Sequence, residues 1–119
     1  MEAIQEKRRF VRLNALVDVI YNRVSLAETE KLSLSKNISK GGICLIAYER
    51  LEVSDLLKLD IHLPGEAESV NARGRVAWVK EFVIGDIPNN KRYDVGIEFV
   101  KINAEDLRKI DKYIFVHIS

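Results

Sequence analysis

The firmest constraint on this chain is a period-two alternation of apolar and polar residues, read most plainly in LKLDIHLPG, residues 57–65. Leu57, Leu59, Ile61 and Leu63 share one face, Lys58, Asp60 and His62 the other, and the pattern stops at Pro64-Gly65. That is the signature of a half-buried strand ended by a turn. Residues 10–23 repeat it at greater length, with Leu13, Ala15, Val17, Val19 and Tyr21 on one face and Asn14, Asp18 and Asn22 on the other, together with Leu16 and Ile20. Leu32 and Leu34 alternate with serines in a second strand, and Gly41-Gly42 separates it from a third at residues 43–48. Residues 70–79 hold Val70, Ala72, Val76 and Trp78 in phase, and Pro88-Asn89-Asn90 turns into a last strand at residues 93–100. Short strands joined by turns predict an all-β fold, a six-stranded antiparallel barrel.

The period changes at the C-terminus. Leu107, Ile110, Tyr113 and Ile114 follow a 3.6-residue spacing, with Asn103 placed to cap and Glu105 and Asp106 in the first turn, so one α-helix is predicted over about residues 104–117. Its apolar stripe has to be buried, either across an open end of the barrel or against a partner. At 119 residues and 47% hydrophobic content the chain suits one core. We expect residues 1–9 to form a flexible basic N-terminal arm, residues 10–119 a single domain, and residues 24–31 and 80–92 flexible loops. Cys44, the one cysteine, falls in the apolar run GICLIA and is expected to pack in the core.

Charge narrows the function. With 19 Lys+Arg against 18 Asp+Glu, the net charge of +1 gives no field for a long polyanion, yet EKRRFVRLN, residues 6–14, gathers Lys7, Arg8, Arg9 and Arg12. Arg8 and Arg12 project to the same side of an extended chain and Arg9 to the other. A guanidinium fork suits phosphate, and it also grips the O6 and N7 of guanine, so the cluster points to a guanine nucleotide or to nucleic acid; a solvated basic arm is the plain alternative. NISKGG, residues 37–42, supplies a polar cradle: Asn37 accepts from guanine N–H groups, Ser39 offers a hydroxyl, and Gly42 leaves room for a ligand. Its plain alternative is a strand-connecting turn. Trp78 offers a stacking surface, although its phase with Val70 and Val76 is that of a core residue.

Together these stretches resemble the PilZ domain, a bacterial receptor for the second messenger cyclic di-GMP. The resemblance rests on Arg-x-x-x-Arg at Arg8 and Arg12, with a further arginine at Arg9, and on Asn-x-Ser-x-x-Gly at Asn37, Ser39 and Gly42. GRVAWV and DVGIEF look like the family's fifth and sixth strands. The family's pattern allows Asp or Asn at the position of residue 37; Asn here removes a formal negative charge from the guanine contact and bears on affinity. The resemblance implies a cyclic di-GMP site formed by Arg8, Arg9, Arg12, Asn37, Ser39 and Gly42, with Trp78 as a possible stacking partner, and a signal passed to a downstream protein when the N-terminal arm folds over the ligand.

An enzyme is not expected, and neither is a metal or a cofactor beyond the ligand. His62 and His117 stand in no metal-ligand or nucleophile-base spacing, and SKGG lacks the lysine of a phosphate loop. No run approaches the eighteen apolar residues of a membrane span, and MEAIQEKRRF has no apolar leader, so no membrane insertion and a cytoplasmic location are expected. Two other classes stay open: a ligand-free PilZ-like adaptor acting through protein contacts, and a small nucleic-acid-binding barrel. Nucleic acid is not the expected partner, because four Phe, four Tyr and one Trp fall mostly in apolar phase and leave few aromatic faces for bases to stack on.

Overall fold

A computed structural model describes residues 10–25, 29–86 and 89–118. It contains strands β1 (Leu13–Asn14), β2 (Asp18–Arg23), β3 (Lys31–Ile38), β4 (Gly42–Ala47), β5 (Leu56–His62), β6 (Val70–Val83) and β7 (Lys91–Ile102), then helix α1 (Ala104–Ile118). All pairings are antiparallel, in the order β1-β3-β2-β5-β6-β7-β4, and a further β3–β4 pairing closes β2 to β7 into a six-stranded barrel. The expected barrel with one terminal helix is therefore the fold.

The first strand is broken where the alternation gave no warning. β1 and β2 both pair with β3, Leu13 opposite Ile38 and Asp18 opposite Leu34, and the register slips between them. Ser35 occupies the gap: its hydroxyl accepts from the Val17 N–H at 2.9 Å and donates to the Ala15 carbonyl at 2.5 Å. A side chain thus satisfies backbone groups that a continuous ladder would have paired. For the same reason β3 turns its serines inward. Ser33 and Ser35 are buried, Ser33 donating to the Val19 carbonyl at 2.9 Å, while Leu32 and Leu34 face outward.

Alternation elsewhere fills the barrel. Leu57, Leu59 and Ile61 of β5 meet Val19 and Tyr21 of β2, Val70 and Val76 of β6, and Val95 and Ile97 of β7 in one core. Each such side chain contributes roughly 1.5–3 kcal/mol when fully buried. The β6–β7 ladder runs past this core, pairing Val83 with Lys91, so much of the loop expected at residues 80–92 is strand. Most of that extension is exposed on both faces, which leaves no alternation to read.

Asn103 caps α1, its Oδ1 accepting from the Asp106 N–H at 2.8 Å. Asp106 then accepts from the Asn71 N–H at 3.1 Å, tying the first helical turn to the start of β6. Ile110 and Ile114 join the barrel core, so the helix buries its stripe on the barrel. No described helix is long and apolar enough to cross a membrane.

Candidate functional site

The β1–β3 pairing sets Asn14 opposite Asn37, which brings the residues just before β1 alongside the end of β3. Arg12 donates from Nη1 to Asn37 Oδ1 at 2.6 Å. Two residues later the chain turns sharply into β4. Ser39 makes the turn: its N–H donates to the Gly42 carbonyl at 2.9 Å, and its buried Oγ accepts from the Gly41 and Gly42 N–H groups at 3.1 and 3.2 Å. The hydroxyl is thus spent on the turn.

Gly42 is explained by a strand. A Cβ there would lie 2.1 Å from the Ile97 carbonyl oxygen, so glycine lets β4 and β7 close. Gly41 faces the Phe10 ring, whose Cδ2 an added Cβ would meet at 2.5 Å.

The core phase assigned to Trp78 is overturned. Val76 pairs with Ile97 but Trp78 with Gly96, so the register shifts at Ala77 and the residues beyond the bulge change face. Val76 stays fully buried, whereas Trp78 is 47% exposed and its indole crosses Gly96, where a Cβ would fall 2.1 Å from Nε1.

Arg12, Asn37, Ser39 and Trp78 all line one cavity of about 830 Å³, with Phe10, Lys36, Cys44, Asp94, Gly96 and Glu98 among its other walls. A PilZ domain family model matches residues 6–116. The chain belongs to the PilZ domain family. The inhibitor of motility MotI/DgrA of Bacillus subtilis is 26% identical, with 93% of this chain and 51% of that one covered at a TM-score of 0.70. MrkH of K. pneumonia, in its complex with c-di-GMP, is 21% identical over 93% and 51% of the two chains, with a TM-score of 0.71. The PilZ domain of YcgR from Escherichia coli, solved with c-di-GMP, is 14% identical over 92% and 90%, with a TM-score of 0.70. The chain spans about half the length of the MotI and MrkH chains it matches. None of the curated proteins compared matches it.

Of the PilZ motif positions, Arg12 and Asn37 touch each other at the cavity, Ser39 lines it while shaping the turn, and Gly42 stands behind it against β7. Arg8 and Arg9, with the rest of the expected arm, lie outside the described residues. The motif reading missed Lys36 and Asp94. Lys36 Nζ donates to Asp94 Oδ2 at 2.8 Å, and this hydrogen bond, reinforced by the carboxylate's charge, holds the lysine above its usual range. Burial, and then the Asp94 charge, push the Cys44 thiol up, so it stays neutral where it borders the cavity. Sequence offered no signal for the Lys36–Asp94 pair, whose members stand 58 positions apart.

Proposed function

We propose that this PilZ domain is a receptor for cyclic di-GMP and binds it in the cavity beside Arg12 and Asn37. The supporting observation is convergence: a guanidinium, an amide and an indole from separate strands and their flanks border one space of about 830 Å³. That volume falls in the range of roughly 300–1,000 Å³ typical of small-molecule sites. The ligand carries two phosphates and two guanines. Arg12 supplies a planar fork for a phosphate or a guanine Hoogsteen edge, Asn37 meets a guanine edge while orienting that fork, and the exposed Trp78 ring offers a stacking face. Ser39 and Gly42 act through the turn they build. The MrkH and YcgR structures were solved with the same nucleotide, which favours this reading.

The role is that of a cytoplasmic receptor and not of an enzyme. Arg8 and Arg9 complete the grip from residues 1–9, and the surface formed when they close over the nucleotide is what a downstream protein reads. Hydrogen exchange with and without ligand tests this relay: protection rises together in residues 1–9 and 37–42, and an arm that exchanges unchanged in the saturated complex rules it out.

Trp78 is the single tryptophan of the chain, so its fluorescence tests the site itself. Cyclic di-GMP produces a saturable change that Arg12→Ala shifts to higher concentration. A flat titration with wild-type protein contradicts the assignment.

A further inference from the structure

Asp94 is 8% exposed, and only one of its carboxylate oxygens is used. Oδ2 accepts from Lys36, whereas Oδ1 is buried with no hydrogen-bond partner. A buried acceptor left unpaired is costly and uncommon, and one at the wall of a ligand cavity calls for a donor. Asp94 stands two residues before Gly96 on β7, on the same face of the strand and so roughly 7 Å along it from the glycine that the Trp78 indole crosses. Lys36 is its solvent-facing cover, with a side chain 54% exposed against 11% for Asp94.

We infer that Lys36 and Asp94 together read the Watson–Crick edge of a guanine stacked on Trp78. That edge presents an acceptor at O6 followed by donors at N1 and N2. The pair presents the complement, an ammonium donor beside two carboxylate acceptors. Adenine offers a donor at N6 and an acceptor at N1, which would set its N6 amine against the ammonium and its ring nitrogen against the carboxylate. Lys36 shifts from Oδ2 to the guanine O6, and the carboxylate it leaves meets the N1 and N2 donors. The acidic acceptor absent from residue 37 is in this way supplied from β7. The same pair makes the site selective rather than merely anion-binding, since a phosphate would be repelled by Asp94.

This inference rests on the proposed cyclic di-GMP site, and its test separates the two. Wild-type protein, Asp94→Asn and Lys36→Met are titrated with cyclic di-GMP and with cyclic di-AMP, alongside thermal melting of each. The expected result is preference for cyclic di-GMP in the wild type, a loss of about tenfold or more for that ligand in Asp94→Asn, and a narrowed ratio between the two nucleotides in both variants. If Asp94→Asn fails to fold, Lys36→Met alone decides through its ratio. A wild type that binds cyclic di-GMP and variants that keep its nucleotide ratio overturn the inference while leaving the receptor reading intact. A wild type that binds neither nucleotide overturns both.

Discussion

Arg12 and Asn37 stand 25 positions apart and meet side chain to side chain, Nη1 donating to Oδ1 at 2.6 Å. The two PilZ motifs therefore form one unit, in which the amide of the second holds the guanidinium of the first. Preorganisation of this kind lowers the ordering cost a ligand would otherwise meet.

Arg12→Ala removes a charge-assisted contact from an exposed position. Cyclic di-GMP affinity falls by about ten- to a hundredfold, corresponding to roughly 1.5–3 kcal/mol, and the melting temperature stays within a degree or so of wild type. Titration calorimetry and thermal melting check the two halves of this statement, and wild-type affinity would remove Arg12 from the site.

At residue 37 both chemistry and position can be varied. Asn37→Ala frees Arg12 and weakens binding by about 1 kcal/mol or more. Asn37→Asp converts the Arg12 contact to an ion pair and gives guanine N–H groups a stronger acceptor, so affinity is kept or raised. Equal affinity across wild type and both variants would make Asn37 a turn residue only.

Much of this arrangement is legible in the sequence because it follows from local rules. Leu57, Leu59 and Ile61 fill the barrel as their alternation requires, and Asn103 caps the helix that Ile110 and Ile114 bury. Arg12 and Asn37 are recognisable by motif. Trp78 is not, because the bulge at Ala77 is a property of the β6–β7 ladder and leaves no mark on the period before it. Ser33 and Ser35 alternate with Leu32 and Leu34 in the sequence, yet it is the serines that turn inward, because their hydroxyls serve the backbone of β2 and its approach, a demand visible only once the strands are paired. Lys36 of β3 and Asp94 of β7 meet across the intervening β4, where one sequence offers no pairing signal.

The glycines separate fold from site. Gly42→Ala drives a Cβ into the Ile97 backbone, which cannot yield, and lowers stability by about 2 kcal/mol or more. The nearest atoms to a Cβ added in Gly96→Ala belong to the half-exposed Trp78 indole, which can swing away, so stability changes little while ligand affinity and the indole emission change. Chemical denaturation read beside ligand titration distinguishes them; matching stability losses would place Trp78 in the core after all.

The Lys36–Asp94 contact gives a pH dependence of definite sign. A lysine whose folded pKa is raised above 10.5 contributes stability below that value and loses it as pH rises through the folded value. The stability difference between wild type and Lys36→Met is accordingly flat from about pH 6 to about pH 9 and declines only in strong alkali. A difference that vanished between about pH 7 and pH 9 would show that the pair is not formed.

Titration calorimetry with cyclic di-GMP, cyclic di-AMP and GTP measures ligand identity, stoichiometry and affinity at once. A receptor gives a saturable heat with cyclic di-GMP, weaker or no heat with the other two, and binding weakened by about ten- to a hundredfold in Arg12→Ala. No heat with any of the three nucleotides would contradict a receptor and turn attention to an adaptor that works through protein contacts alone.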